Sequence, residues 1–263
     1  MAKPKFSIIT VCFNAGDKLA ETIQTALKQN YDNFEIIIKD GLSKDDSLSK
    51  VPADDRIKIH SFKDKGIYDA MNQALEKITG DYVYFLNCGD SFYNETVLSD
   101  VAKFIESNPD CGIYYGDTYK ESTKSFVPMP KKVTAFTCYR HIPCHQGCIY
   151  AKELFEDRGY DLEFKIRADY EHFLWCFFKK NVRPVHTGLT IANYEGGGFS
   201  ETKENQKRDR LEHKMTVEKY MKKSQLFLAK SYLVVTLMPL RRAMANSPIF
   251  SKMYNGIKKC FYR

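Results

Sequence analysis

The sequence predicts an α/β fold with a doubly wound sheet, and three observations support this prediction. Short apolar runs alternate with helical segments between residues 6 and 116, as they do in βαβ units. Turn signals rich in glycine, asparagine and aspartate separate these segments. The 263 residues, of which 43% are hydrophobic, are enough for one large domain with appendages.

Three predicted strands precede the centre of the chain. They are the apolar runs at residues 6–13, 34–38 and 57–60. A predicted helix lies between the first two, with Leu19 and Ile23 on one face. Because strands covered on both faces are almost wholly apolar, we expect the first strand to be buried.

The stretch from Lys63 to Asp90 combines a helix, a turn, a buried strand and a terminal acid. Apolar residues recur at the helical period between residues 70 and 78, and Gly80 ends the helix. The run at residues 82–86 is apolar enough for a strand covered on both faces. Ligands of open α/β sheets bind beyond the carboxyl ends of strands, where Asp90 lies. The stretch therefore predicts a nucleotide or phosphate site.

Acidic residues occupy equivalent places after three of the predicted strands. Asp40 follows the second strand, Asp64 the third and Asp90 the fourth. A lone acid at a strand end is usually a turn former or a helix cap, but three acids at one sheet edge favour a site. The chain contains neither GxGxxG nor GxxxxGK[ST]. A bound phosphate would therefore depend on a metal ion and on side chains.

The pattern changes in the second half of the chain. A hairpin is expected at residues 117–126, and residues 136–150 are rich in cysteine, histidine and aromatic side chains. A helix is predicted at residues 168–178, with Asp169 in the first turn, where the helix dipole favours an anion. The glycine-rich segment at residues 195–200 is expected to be a flexible loop that approaches a ligand closely.

Positive charge is concentrated at the C-terminus. Residues 201–263 carry a net charge of +10, whereas residues 1–200 carry −3. Basic residues flank the apolar segment 226–240, which is too short to span a bilayer. We expect this tail to bind an anionic membrane surface. The alternative is a helix packed on the body, and no nucleic-acid partner is expected because the body offers no basic groove.

The start of the chain and its cysteines indicate a reducing compartment. No export signal precedes the first strand, and the eight cysteines include no CxxC pair. Cys144 and Cys148 lie beside His145, but small buried side chains are favoured there over a metal site. We expect a cytoplasmic protein that is peripherally associated with the inner face of the cell membrane.

Five segments carry a resemblance to a known family. In chain order they are SIITVCFNAGDKL, IIIKDGLSKDDS, KDKGIYDAMNQALEKITGDYVYFLNCGD, PCHQGCIY and IRADYEHFL. With them the chain resembles family 2 glycosyltransferases of the bacterial polysaccharide type, over about residues 5–200. The resemblance implies a GT-A fold, a Rossmann-like, doubly wound mixed sheet. It also implies a nucleotide-sugar-binding half at residues 1–116 and an acceptor-binding half at residues 117–200, followed by a helical tail at residues 201–263.

The resemblance also implies a role for individual residues. Asp169 matches the catalytic base, and Asp90 matches the metal-binding acid of the DXD element. His145, Gln146 and Glu171 are placed near the acceptor or the donor sugar. Glu171 is not expected to be catalytic, because two residues along a helix it points to another face. The residues implied in nucleotide-sugar binding are Thr10, Phe13, Asn14, Asp40, Asp64, Asp69, Asn72, Asn87 and Gly89.

The DXD element departs from the family pattern, because Asn87 and Gly89 stand where carboxylates are usual. We expect Mn²⁺ or Mg²⁺ to be held by Asp90 together with substrate phosphates. The implied function is inverting transfer of a sugar, from a UDP-sugar donor, to a glycan or lipid-linked glycan. The alternative is a catalytically weak nucleotide-sugar-binding or scaffold protein of a polysaccharide assembly complex. A nucleotidyltransferase is disfavoured, because residues 14–18 make a poor phosphate loop.

Overall fold

The structure is a computed structural model that describes residues 3–196 and 205–235. The strands are β1 (Phe6–Cys12), β2 (Phe34–Asp40), β3 (Ile57–Ser61), β4 (Tyr82–Phe85), β5 (Ser91–Phe92), β6 (Ile113–Lys120), β7 (Ser125–Val127), β8 (Cys148–Ala151) and β9 (Val185–Tyr194). The helices are α1 (Asp17–Leu27), α2 (Ile67–Leu75), α3 (Val97–Ser107), α4 (Ala135–Arg140), α5 (Ala168–Phe178), α6 (Asn205–Tyr220) and α7 (Lys223–Val235).

The described strands form one mixed sheet with the order β3-β2-β1-β4-β8-β6-β9-β5, and β7 pairs with β6. Strands β1 to β4 are parallel to one another, as alternating strands and helices require. Strand β8 runs antiparallel between β4 and β6, and it joins the first half of the sheet to the second. The predicted α/β class with a doubly wound mixed sheet is confirmed.

Both faces of the central strands are covered. Ile8, Ile36 and Tyr84 belong to one apolar cluster with residues of α1 and α3. The residues that alternate with these along the strands, such as Ile9 and Phe85, are fully buried as well. This double burial explains why β1 and β2 are almost wholly apolar in sequence.

The parallel strands end at one edge of the sheet. Cys12 of β1 lies opposite Asp40 of β2, and Asp40 lies opposite Ser61 of β3. Strand β4 is shorter, so residues 86–90 leave the sheet beside the end of β1. The acidic residues at and after the ends of these strands therefore lie at the same edge of the sheet.

The second half of the sheet is longer than its sequence pattern indicates. The strand predicted at residues 189–194 begins four residues earlier, at Val185, because β9 pairs in parallel with β6 through two register shifts. The expected hairpin at residues 117–126 is formed by β6 and β7. Polar residues in these strands hide the pairing from an apolar pattern.

The chain divides into a first compact unit, residues 1–220, and a second unit, residues 221–263. Helix α6 thus belongs to the first unit, whereas the predicted tail began at residue 201. No helix within the described ranges has the length and apolar character needed to cross a bilayer. Most of the predicted loop at residues 195–200 and the end of the apolar segment 226–240 lie outside the described residues.

Candidate active site

The ends of β1, β2 and β3 form a compact group of predicted nucleotide-binding residues. Gly41 follows β2, and a Cβ atom on it would lie 2.9 Å from Asp64 Oδ2 and 3.3 Å from the Phe13 ring. Asp40 is buried at the end of β2, and its carboxylate accepts hydrogen bonds from the backbone N–H groups of residues 42 and 43. The Phe13 ring remains largely exposed, so it is free to pack against a planar ligand.

A buried lysine holds this group together. Lys39 is 1% exposed, which is unusual for a lysine. It lies in β2 between three isoleucines and Asp40. Its Nζ donates to the carbonyl oxygens of Asp40 (2.9 Å) and Phe62 (2.7 Å). It also forms an ion pair with Asp64 Oδ2 at 2.9 Å. Lys39 therefore fixes the Asp64 carboxylate relative to the end of β2.

Two other residues predicted for this edge differ in their contacts, because Asn14 is hydrogen-bonded and the Thr10 hydroxyl is not. The Asn14 backbone N–H donates to Ser43 Oγ at 2.8 Å, and its side-chain oxygen accepts from the Lys44 N–H at 2.9 Å. Asn14 therefore ties the loop after β1 to the loop after β2. The Thr10 hydroxyl is buried within β1 and has no hydrogen-bond partner among the described residues.

The loop after β4 presents Asp90. Thr22 of α1 fixes this loop, because its hydroxyl donates to the Asp90 carbonyl (2.9 Å) and accepts from the Gly89 N–H (3.0 Å). Gly89 has φ of 93°, a conformation that a residue with a side chain rarely adopts. Asp90 is 8% exposed, and burial raises the pKa of its carboxyl to about 6.

The oxygen atoms near Asp90 suit a hard cation that completes its coordination with phosphate oxygens. Asn87 Oδ1 is buried without a partner among the described residues. The Glu195 N–H donates to Asp90 Oδ1 at 3.3 Å, and the Glu195 carboxylate pairs with Lys18 at 2.6 Å. Within the described ranges no group of three or more His, Cys, Asp or Glu residues could hold a metal alone. Asp90 and Asn87 thus fit a metal that binds together with a nucleotide.

A short 3₁₀ turn at His145–Gly147 lies close to both predicted reactive carboxylates, Asp90 and Asp169. The Gln146 side chain lies close enough to Asp90 to lower the pKa of that carboxyl, and the Gln146 carbonyl accepts a hydrogen bond from the Tyr84 hydroxyl at 2.8 Å. Burial raises the pKa of the preceding Cys144 to about 12, and the charges of Asp169 and Asp90 both add to this effect. Both carboxylates therefore lie within electrostatic range of one thiol.

His145 has a buried ring with no hydrogen bond at either nitrogen among the described residues. Burial lowers the pKa of His145, whereas the charge of Asp169 opposes that shift. The ring lies against Phe85 at 5.1 Å and Tyr160 at 6.1 Å between centroids. Buried polar nitrogens are usually hydrogen-bonded, so these two nitrogens are exceptional among the described residues.

Asp169 lies in the first turn of α5. Its Oδ1 accepts a hydrogen bond from the Tyr68 hydroxyl of α2 at 2.8 Å. The pKa of Tyr68 is raised well above its usual value, by burial first and then by the charge of Asp169. The hydroxyl therefore remains a proton donor, and it orients the carboxylate.

Helix α6 supports the segment that leads into α5. The buried carboxylate of Glu212 accepts backbone N–H bonds from Lys165, Ile166 and Arg167, each at 2.9 Å. The Arg167 guanidinium also forms two bonds with Asp209, at 2.7 and 2.9 Å. These contacts fix the backbone immediately before Asp169.

Three predicted site residues are occupied by protein contacts. Glu171 is fully buried, and bonds from Arg158, Lys219 and Tyr220 lower its pKa although burial opposes that shift. The Asn72 amide pairs with the backbone of Tyr160, at 2.7 and 2.9 Å. Asp69 accepts from the Lys65 N–H at 2.8 Å and from Gln73 Nε2 at 3.2 Å. The assignment of these three residues to ligand binding stays a prediction. The burial and the protein contacts of Glu171 do not support a role for it in sugar binding.

A cavity of about 620 Å³ opens beside Asp169. Tyr68 belongs both to its wall and to the hydrogen bond with Asp169. The remaining wall residues are Lys65–Ile67, Asp69, Leu162, Phe164–Ile166, and Asn205 and Arg208 of α6. One wall residue of the cavity, Tyr68, therefore contacts the predicted base.

Sequence reasoning did not single out Tyr68, Lys39 or Glu195 as site residues. Tyr68 precedes Asp69 in the central segment, but its partner Asp169 lies 101 residues away. Lys39 could have been recognised, because a lysine inside an apolar strand must find acceptors when it is buried. The sequence indicated only that Glu195 begins a flexible loop, and it did not indicate the contact of Glu195 with Asp90.

The mixed sheet and its strand order have the architecture of the GT-A fold, and solved structures of that fold are similar to this chain. A mannosyltransferase from Pyrobaculum calidifontis, solved with GDP-Man and Mn²⁺, is similar with a TM-score of 0.69. The match covers 100% of this chain and 82% of that one, at 16% identity. TarS from S. aureus, solved with UDP-GlcNAc, has a TM-score of 0.62 at 18% identity, covering 83% and 68%. At these identities the likeness concerns the fold.

The chain belongs to Glycosyl transferase family 2, whose family model matches residues 7–177. A PGL/p-HBAD biosynthesis glycosyltransferase of Mycobacterium bovis is 32% identical, over 77% of this chain and 81% of the relative. An Escherichia coli relative, the UDP-Glc:alpha-D-GlcNAc-diphosphoundecaprenol beta-1,3-glucosyltransferase WfgD, is 26% identical over 72% and 76%. The protein is a glycosyltransferase, and the expected family is confirmed.

Proposed function

We propose that the protein transfers a sugar, with inversion, from a UDP-sugar to a glycan or lipid-linked glycan. The observation that carries the proposal is the His145–Gly147 turn, because Gln146 lies close enough to Asp90 to lower the pKa of its carboxyl and His145 lies close enough to Asp169 for that charge to act on the pKa of its ring. A transferase needs two such groups, one for the departing diphosphate and one for the attacking hydroxyl.

The nucleoside is assigned to the edge formed by β1, β2 and β3. Phe13 offers an exposed ring, and Asp40 and Asp64 offer carboxylate acceptors for base or ribose donors. The ion pair with Lys39 holds Asp64 in place before the ligand arrives. Because the carboxylate is already ordered, ligand binding does not lose conformational entropy by ordering this side chain. WfgD, which is named for a UDP-Glc donor, and TarS, solved with UDP-GlcNAc, support UDP as the nucleotide.

Asp90 and Asn87 would hold Mn²⁺ or Mg²⁺, which when bound would supply positive charge to the diphosphate. A buried carboxyl with a pKa of about 6 is a poor isolated cation site, because a proton competes for it. Metal affinity is therefore expected to be weak without the nucleotide. The similar mannosyltransferase from Pyrobaculum was solved with Mn²⁺ beside its nucleotide sugar, and this supports the assignment.

Asp169 is the proposed general base. The Tyr68 hydroxyl occupies Oδ1, and this leaves Oδ2 to accept the proton of the acceptor hydroxyl. Contacts from Glu212 and Asp209 hold Arg167, which precedes α5, and so they help to position the Asp169 carboxylate. His145 contributes a neutral ring beside the same space, and we assign it to a hydroxyl of either sugar.

The second unit is proposed to attach the enzyme to the inner face of the cell membrane. Helix α7 presents Phe227, Leu228 and Tyr232 as exposed side chains, and Lys223 and Lys230 lie on the same helix. Exposed aromatic and basic residues on one helix suit an anionic interface. Co-sedimentation with phosphatidylglycerol vesicles is expected, and Phe227→Asp should weaken it. Equal binding by the variant would contradict the proposal.

Nucleotide binding is the first experiment. Calorimetry with UDP, UDP-GlcNAc, UDP-glucose and GDP-mannose, each with and without Mn²⁺, should reveal metal-dependent binding of a uridine nucleotide. Asp90→Ala should abolish the metal dependence, whereas Asp55→Ala, at an exposed acid, should not. Transfer should then be tested with Asp169→Asn, which should bind the donor but not turn over.

Two outcomes would redirect the assignment. Metal-dependent binding without transfer to any acceptor, equal in wild type and Asp169→Asn, would favour the scaffold alternative. That alternative draws on Asn87 and Gly89, which stand where carboxylates are usual in the DXD element. No binding of any nucleotide sugar would refute the proposal altogether.

A further inference from the structure

The loop after β4 supplies a single carboxylate to the proposed metal site. Asp90 is the only acid in residues 86–90. Asn87 adds an amide oxygen, Oδ1, which is buried without a hydrogen-bond partner among the described residues. The affinity of an oxygen-ligand site for a divalent cation rises with the charge of its ligands. A second carboxylate beside this loop would therefore strengthen the site.

Glu195, which directly follows β9, brings a second carboxylate to this loop. Its backbone N–H donates to Asp90 Oδ1 at 3.3 Å, so the two residues are neighbours although 105 positions separate them. A Cβ atom on Gly89 would lie 2.9 Å from Glu195 Oε2. The space that a side chain at residue 89 would enter therefore already contains a carboxylate oxygen.

The sheet holds the backbone of Glu195 in this place before any ligand binds. Strand β5 begins directly after Asp90 and pairs with β9, with Ser91 opposite Asn193. The Asn193 amide also donates to Ser91 Oγ at 3.2 Å. On the other side, the Ser122 N–H in the turn between β6 and β7 donates to the Glu195 carbonyl at 3.3 Å. The contact between Glu195 and the loop after β4 thus follows from strand pairing.

The Glu195 carboxylate is paired with Lys18 of α1. Lys18 Nζ lies 2.6 Å from Glu195 Oε2, and the two side chains are 52% and 56% exposed. Ion pairs as exposed as this one contribute little to stability, because water competes for both charges. A divalent cation beside the carboxylate can therefore displace the lysine at little cost.

We propose that Glu195 is a ligand of the divalent cation and supplies the carboxylate that the loop after β4 lacks. Asp90, Asn87 and Glu195 then offer oxygen ligands from two distant parts of the chain, and phosphate oxygens of the nucleotide complete the coordination. Lys18, the partner of Glu195 in the absence of metal, is displaced. This inference rests on the proposed transferase function and adds a residue to its metal site.

The test titrates Mn²⁺ in calorimetric measurements of UDP binding to the full chain. The quantity compared is the Mn²⁺ concentration that gives half of the gain in UDP affinity. Glu195→Gln removes the negative charge but keeps the backbone N–H that donates to Asp90. That Mn²⁺ concentration should rise about tenfold in Glu195→Gln, because the site loses one charged ligand. UDP affinity without Mn²⁺ should not fall.

Two control variants separate a metal ligand from an ion-pair partner. Glu121→Gln removes an exposed carboxylate from the turn between β6 and β7 and should behave as wild type. Lys18→Gln breaks the same ion pair as Glu195→Gln, but it removes a competitor for the carboxylate. The Mn²⁺ concentration should therefore stay constant or fall in Lys18→Gln. Melting temperatures without metal should agree for wild type and all three variants, because the substituted side chains are exposed.

Each outcome decides a different part of the assignment. An unchanged Mn²⁺ requirement in Glu195→Gln would overturn the proposal, and so would an equal rise in Lys18→Gln, since the ion pair would then be the cause. Wild-type UDP binding that does not respond to Mn²⁺ would refute the metal site and this inference with it, but not the transferase function. The absence of UDP binding in wild type would refute the transferase function itself.

Discussion

Replacing Asp90 by asparagine should make the protein more stable and less active. The carboxyl has a pKa of about 6 in the folded protein, against an ordinary value of 3.8, because it is buried. A raised pKa means that the folded state favours the protonated form. Its favourable contribution to folding is therefore complete below about pH 3.8, and it is lost as the pH rises through about 6. Asparagine is neutral at every pH, so the variant has no such loss of stability as the pH rises.

The magnitude follows from the size of the pKa shift. About two pKa units correspond to roughly 3 kcal/mol of unfolding free energy above pH 7. For a chain of this length that amounts to an increase of about 6 °C in melting temperature. Melting curves of wild type and Asp90→Asn between pH 4 and pH 8 should diverge with rising pH and coincide near pH 4. Asp55→Asn, at an exposed acid, should follow wild type at every pH.

Two results would refute this reasoning. The first is an Asp90→Asn protein that melts no higher than wild type at pH 7.5. The second is a difference of equal size at pH 4, because a pH-independent gain cannot come from ionisation. The stabilised variant should also lose metal-dependent UDP binding, so that function opposes stability at this residue.

Three further predictions concern the base and the buried lysine. Asp169→Asn should lower kcat by about 10²- to 10⁴-fold with unchanged donor affinity in calorimetry, and retention of a tenth of the wild-type rate would exclude it as the base. Tyr68→Phe removes the hydroxyl that orients Asp169, so kcat should fall about tenfold while the unfolding free energy changes by only about 1 kcal/mol; an unaltered kcat would contradict that role. Lys39→Met leaves the Asp64 carboxylate unpaired and should cost about 3 kcal/mol in urea denaturation, whereas Lys103→Met, at an exposed pair, should cost less than about 0.5 kcal/mol. Similar losses for the two lysine variants would disprove that prediction.

The first half of the fold was predictable because its strands are buried on both faces. Strands β1, β2 and β4 are apolar runs for this reason, and the acids behind them fall at one edge of the sheet by parallel pairing. Strand β9 was foreseen only in its second part, since His186 and Thr187 at its start are polar and pair with β6. Apolar pattern cannot reveal a strand whose partner is chosen by tertiary contacts.

The site was predictable where the chemistry is local and not where it is made by distant contacts. Asp90 follows its strand directly, and Asp169 begins a recognisable helix. The hydrogen bond from Tyr68 and the pairing of Asn72 with Tyr160 join residues about 90 to 100 positions apart. No spacing rule connects such residues, so their contribution emerged only from the folded chain.

The carboxylate of Glu212 implies that the family-model match and the folded unit end at different residues. The family match stops at residue 177, yet three peptide N–H groups before α5 depend on an acceptor in α6. A protein cut after the matched region would lose the carboxylate that these N–H groups donate to, and the segment that positions Asp169 would lose its support. The smallest version that can fold and turn over should therefore extend to about residue 220, and a deletion placed at the end of the family-model match would discard part of the catalytic framework.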